Sequence, residues 1–308
     1  MARATGLEGD PLLHETVVLG LSLAYLGLLF AVAYVGDRHA RAWSSSRLGP
    51  IVYGLSLAIY CTSWTFYGAV GRAATSGPDF ILIYVGPVLV VLAGYPMLRK
   101  IITTAKRHNV TSIADFLGSR YGKSRAVAVS ATLIASVGAL PYIALQLQAV
   151  SSSFGAIAGP SFAGAGASPF IDTSFIVAAL MAIFTILFGV RHVQAAEQHR
   201  GMMLAIAFES VVKLVALLAV GPFVIFGLFD GPADLVARIA ASPDVGKRLE
   251  GSASNLSWVV TTLLAASAFL CLPRQFHVAV VEHDHPSSLK TARWLFPAYL
   301  VAINLFVV

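Results

Sequence analysis

The chain has 308 residues, of which 57% are hydrophobic and 12% charged, and its net charge is +6 at pH 7. Soluble domains carry about 25% charged residues, so this composition excludes a water-coated globule and points to a lipid bilayer. The positive charge collects in alternate segments between apolar runs, which is a topology signal and not the footprint of a nucleic-acid binder.

Apolar runs near the roughly 20 residues that span a bilayer predict eight spans, at 16–36, 51–72, 79–98, 126–150, 174–190, 202–228, 256–276 and 292–308. The fold class is therefore all-α and polytopic. The first run is long and lacks a basic leader, so it reads as a retained helix and not a signal peptide.

The second span holds YCTSWTFYGAVG, with Cys61, Thr62, Ser63, Trp64, Tyr67, Gly68 and Gly71 at the depth of mid-bilayer. Two accounts compete. Small residues and hydroxyls let helices pack closely and bond back to their own backbone. Alternatively the helix is broken, and its freed carbonyls and hydroxyls line a solute or ion site. Trp64 and Tyr67 beside Thr62 and Ser63 favour the break, because close packing does not call for large aromatics there.

The segments 37–50, 99–125, 191–201 and 274–293 hold fifteen Lys and Arg, against five in the alternate segments. That bias predicts an outside N-terminus and a cytoplasmic 99–125. Within 99–125, Ser112-x-x-Asp115 is a variant capping box opening a short helix, with Ile113, Phe116 and Leu117 as its apolar side. Its basic residues suit an anionic membrane surface. The segment 151–170 carries no charge, and 229–255 has room for a short helix.

Further along, Gln146 and Gln148 are amides at membrane depth. They face other helices or touch a ligand. Glu209 and Lys213 stand at i and i+4, acid first, the favourable order for a helical ion pair. Charges that deep are costly and mark function by default, although a neutralised pair can also simply steady a bundle. In FLCLPRQFH, Pro273 interrupts an apolar run just before Arg274 and Gln275, and Arg274 could instead snorkel to the interface. His283-Asp284-His285 are adjacent, with no further ligand at useful spacing, and read as a solvated loop. Cys61 and Cys271 lie in predicted spans and read as reduced thiols. No catalytic motif stands out, and the last apolar run meets the chain end at LFVV without a polar cap, as in a fragment cut within a helix.

At these residues the chain resembles the sodium:solute symporter family. Trp64, Gly68, Gly71, Ser76 and Gly77 match that family's W-x3-G-x2-G-x4-S-G pattern. Thr111, Asp115, Phe116, Arg120 and Tyr121 match its cytoplasmic signature, and Glu197 falls where the family usually has Asp. The runs YCTSWTFYGAVG, TSIADFLGSRYG, HRGMMLAIAFESVVKL and FLCLPRQFHVAVVE are similar to one branch, the symporter-like membrane domains of bacterial hybrid sensor histidine kinases.

The resemblance covers about 16–308. It implies one symporter-like domain over 1–308, the leucine-transporter inverted-repeat bundle cut short, and a bacterial plasma-membrane location. It implies broken helices at 51–72 and 256–276 that hold the ligand. Together with the polar residues at and near these breaks, this makes a small polar solute, an amino acid such as histidine, the expected cargo, with Thr62, Ser63, Trp64, Tyr67, Gly68, Gln146, Gln148, Pro273, Arg274 and Gln275 as candidate contacts. It implies sodium on the backbone carbonyls of Ala58 and Cys61, although Tyr60 stands where the proline symporter of that family has an ion-linked Asp. A downstream kinase and response regulator are the implied partners beside lipid. A stand-alone sodium- or proton-coupled symporter is the alternative. Neither reading puts enzyme activity on these residues.

Overall fold

The computed structural model describes residues 15–158, 200–242, 254–283 and 286–307, with positions 175, 178, 179, 182 and 245. Every regular element among the described residues is helical. They group into two compact units, one drawn from Met1–Phe30 and Leu140–Ala195, the other from Ala31–Ala139 and Ala196–Val308. The second contains both expected helix breaks.

Among the described residues, four helical runs are long and apolar enough to cross a membrane: Thr16–Arg38, Ser63–Leu92, Arg125–Ile157 and Arg200–Leu228. A fifth is bent, with Asn255–Cys271 and Pro273–Val281 meeting at 60°, and Leu48–Tyr60 is apolar but shorter. The expected spans are redrawn accordingly. The one at 174–190 lies outside the described residues apart from isolated positions. The one at 79–98 is cut: its helix closes at Leu92, and a second one, Tyr95–Arg107, opens after Gly94. The cause is local. Gly94 leaves helical geometry at φ −78°, ψ 6°, and Pro96 has no N–H to continue the ladder and suits a helix start. The last span begins earlier than expected, as Pro286–Ile303. The segment 229–255 does contain a short helix, Pro232–Ala240.

In the larger unit, Leu48–Ser56 packs against both Pro286–Ile303 and Arg200–Phe223, while Asn255–Cys271 runs along Leu82–Leu92. Lipid tails are as apolar as leucine, so these helices associate through close fit and internal hydrogen bonds, not through escape from water. The fit is close at Gly86, where a Cβ would strike the Ala266 nitrogen and the Thr262 carbonyl of the facing helix. Phe80, Phe269, Phe296 and Leu57 are fully buried. The Phe269 ring lies 5.4 Å from Phe296 and 6.3 Å from Tyr60.

Polar cross-links supplement this packing. The Tyr53 hydroxyl donates to the Ala279 carbonyl at 2.7 Å, and the Tyr299 hydroxyl to Ser210 at 2.9 Å. Each satisfies a phenol that would otherwise be buried unpaired, at a cost of about 1–3 kcal/mol.

Within 99–125, residues 99–107 continue the Tyr95–Arg107 helix, and the expected short helix follows. The Ile113–Arg120 helix is opened by the Ser112 hydroxyl, which accepts from the Asp115 N–H at 3.1 Å; the Asp115 carboxylate accepts from the Thr111 N–H at 3.1 Å. Phe116 turns onto protein, 5.7 Å from the Phe276 ring, while Leu117 is exposed.

Candidate functional site

The Leu48–Ser56 helix tightens into a 3-10 turn at Leu57–Tyr60 and then stops. Cys61 (φ −81°, ψ 112°) and Thr62 (φ −115°, ψ −169°) are extended, and helix resumes at Ser63. The expected interruption within 51–72 is therefore present, at the Cys-Thr pair. A break frees carbonyls that a continuous helix would occupy, and in an apolar setting each needs another donor.

The donors come from three places. The Ala58 carbonyl accepts from the Cys61 N–H at 2.9 Å. The Leu57 carbonyl accepts from the Gln275 side-chain amide at 3.2 Å. The Cys61 carbonyl accepts from the Lys213 ammonium at 3.0 Å. The end of a half-helix carries partial negative charge, so a cation is the favoured partner there.

Lys213 also meets Glu209 at 2.7 Å, one turn back on the Arg200–Phe223 helix. The two side chains are 22% and 35% exposed. The pair read from the sequence thus forms, and it does more than neutralise itself: it joins its own helix to the broken one. The two carbonyls named for sodium, Ala58 and Cys61, both have donors in this structure, one a backbone amide and the other the lysine.

The second break lies one helix away. Asn255–Cys271 ends at an extended Leu272 (φ −64°, ψ 126°), and Pro273 opens a four-residue helix to Phe276 that passes into a π-turn at His277–Val281. Proline is well placed at this start, where its missing N–H would be unused anyway. Gln275 is fully buried, and its amide bond to Leu57 ties the two breaks together. Pro273 itself is exposed and Arg274 half-buried.

The other expected site residues are dispersed. Thr62 and Ser63 are half-buried at the break. Trp64 folds its indole back over Gly68, where a Cβ would collide with the ring. Tyr67, expected to shape the pocket, is 56% exposed. Gln146 and Gln148 sit on Arg125–Ala158, in the smaller unit, the first half-buried and the second exposed. Glu197 lies outside the described residues.

Two cavities lie among the described residues of the larger unit, and only the apolar one reaches a break, at Cys271 and Phe276. One, of about 210 Å³, is almost wholly apolar, walled by Leu98, Ile113, Phe116, Leu270, Phe276 and Val280. The other is a narrow polar cleft bounded by Trp43, Ser44, Tyr53, Arg200, Glu282 and Ser288. Trp64 and Tyr67 line neither.

This chain is similar to two bacterial symporters. Both are proteins of Bacillus subtilis (strain 168) described as uncharacterized symporters. YhjB is 23% identical over 297 residues, covering 93% of this chain and 56% of its own length. YodF is 21% identical over 306 residues, covering 95% and 56%. The chain thus spans about half the length of the curated relatives it matches. No family model matches it, and no solved structure does. The apolar helices support a membrane protein.

Several participants escape a reading of the sequence. Ser56 is fully buried and donates to the Val52 and Met203 carbonyls at 2.7 and 2.9 Å. Tyr60, notable in the sequence only for not being an Asp, donates its hydroxyl to the Ile83 carbonyl at 2.8 Å, bracing the break against the next helix. Such residues leave one weak signal, a lone hydroxyl in an apolar run. His283 is a correction: it is buried, edge-on to Tyr53 at 5.1 Å, not in a solvated loop. Its side chain is part of the core, and its neighbours Asp284 and His285 lie outside the described residues.

Proposed function

We propose that the chain is the solute-binding membrane part of a symporter-like transporter, with a small polar solute as its cargo. The observation behind this is the double discontinuity. Two helices break at nearly the same place, and the first break is held by amide, ammonium and carbonyl groups in place of a regular helix. Irregular backbone at membrane depth is tolerated where it is buried in protein or lines a wet path, and paired broken helices are how many secondary transporters build their sites. The same reading takes Thr62, Ser63, Trp64 and Gln275 as solute contacts. It also takes the inverted-repeat bundle as the fold, with the N-terminus outside and 99–125 in the cytoplasm of a bacterial cell. The test is uptake by the full-length protein in proteoliposomes, screened against a panel of amino acids that includes histidine. Saturable accumulation of one solute is the expected result. No uptake of any, in protein shown to be correctly inserted, would reject transport.

A second reading rests on the resemblance of four sequence runs to the membrane domains of sensor histidine kinases. Here the module is the input of a two-component system, and solute occupancy is passed to a kinase. Solute binding without uptake, coupled to autophosphorylation of the full-length protein, distinguishes it. Uptake with no phosphorylation response would leave a plain transporter.

A further inference from the structure

Lys213 donates to a carbonyl that exists as a free acceptor only because the helix breaks. The Cys61 carbonyl would meet the Thr65 N–H in a regular helix, but that N–H bonds Thr62 instead, at 2.9 Å. Lys213 fills the vacancy at 3.0 Å, and Glu209 holds the ammonium from the other side at 2.7 Å. The result is a monovalent cation between a backbone carbonyl and a carboxylate, at the negative end of a half-helix. That is the chemical environment of a bound alkali ion. Here the cation is tethered to the chain.

We propose that the Lys213 ammonium is the resident cation of this break and replaces a dissociable sodium ion there. Two consequences follow from charge alone. A sodium ion sharing the Cys61 carbonyl would lie within a few ångströms of the ammonium, and like charges that close in a partly buried site repel strongly. The site therefore holds one cation, and lysine already supplies it. Removing the lysine leaves the opposite situation. The Cys61 carbonyl and the Glu209 carboxylate then form an uncompensated pair of oxygen ligands, which a hard cation can satisfy. On the transport reading above, on which this last step rests, solute loading needs no sodium.

The experiment uses the full-length protein in nanodiscs and follows thermal unfolding while sodium chloride replaces choline chloride at constant ionic strength. In the wild type the midpoint is expected to stay constant. Lys213→Ala is expected to unfold at a lower temperature in choline and to recover with sodium in a saturable way. Lys213→Ala/Glu209→Gln, which removes the carboxylate, is expected to lose that recovery. Saturable, sodium-specific stabilisation of the wild type overturns the proposal, and so does a folded Lys213→Ala that ignores sodium. Should Lys213→Ala fail to fold, the wild-type titration alone decides, because its outcome does not depend on a variant. None of these readouts uses a solute. A protein that transports nothing can still have a resident cation, and one that transports can lack it, so the two claims fail separately.

Discussion

The side-chain amide of Gln275 donates to the carbonyl of Leu57 at 3.2 Å, and neither residue touches solvent. This bond links the two discontinuous helices across 218 positions of sequence. The other end of the same amide, Oε1, is buried with no partner among the described residues. The group is therefore half-satisfied, and its replacement by different isosteres separates what each half does.

Gln275→Met keeps length, loses one hydrogen bond and removes the orphan oxygen. It also strands the buried Leu57 carbonyl, so a loss of about 1–3 kcal/mol is expected. Gln275→Glu keeps the shape but sets a carboxylate against the Leu57 carbonyl. It is expected to be the more destabilising of the two, by several-fold in unfolding rate. Thermal unfolding of both in the same lipid checks the order, and a Met variant less stable than the Glu variant would contradict it.

Gly86 has no room for a side chain against the backbone of Ala266 and Thr262. Gly86→Val must push the two helices apart, and overpacking of this kind costs about 1–3 kcal/mol. The expected outcome is a lower unfolding midpoint, while Gly71→Ala, at a position with open space around its would-be Cβ, keeps or slightly raises it. Equal behaviour of the two variants would rule out the close approach.

Gly68 lies under the Trp64 indole. Gly68→Ala is expected to force the ring to another rotamer without breaking the helix, because alanine is the better helix former. Tryptophan emission should shift relative to the wild type, and the shift should vanish in a Trp64→Phe background.

Ser112 caps the Ile113–Arg120 helix through the Asp115 N–H. Ser112→Ala is expected to cost about 1 kcal/mol, and Ser112→Asp to retain most of the stability. Hydrogen exchange at Asp115 and Phe116 reports it locally, with faster exchange expected in the alanine variant alone.

Outside the apolar spans, Arg238 donates to Asp234 at 3.0 Å and holds its carboxyl below the ordinary carboxylate range. A depressed pKa means that the contact supports the Pro232–Ala240 helix above the ordinary value and is lost as pH falls through the lowered one. Arg238→Ala should return the Asp234 titration toward that of a free aspartate, as read by carboxyl NMR.

Much of this architecture could be read along the chain. The break at Cys61–Thr62 and the bend at Leu272 follow from local chemistry, namely hydroxyls, glycine and proline where a lipid-facing helix has no use for them. The Glu209–Lys213 pair follows from its i, i+4 spacing. The identity of the lysine's second partner does not, because a backbone carbonyl carries no side-chain label and the meeting spans 152 positions. Tyr67 shows the converse limit. Its residue type suggested a pocket wall, but which face of a helix turns inward depends on the neighbours, and here Tyr67 turns out. The division of 79–98 at Gly94 was also visible as Gly-Tyr-Pro, a stop followed by a start, and was hidden only by the unbroken hydropathy around it.

The seam at Gly86 has a mechanical meaning. Two helices in backbone-to-backbone contact resist shear, so Asn255–Cys271 and Leu82–Leu92 travel as one strut in any motion of the larger unit. Bending is left to the joints at their ends, Leu272 on one member and Gly94 on the other. A spin-label pair across the strut should keep its distance, and pairs straddling either joint should not.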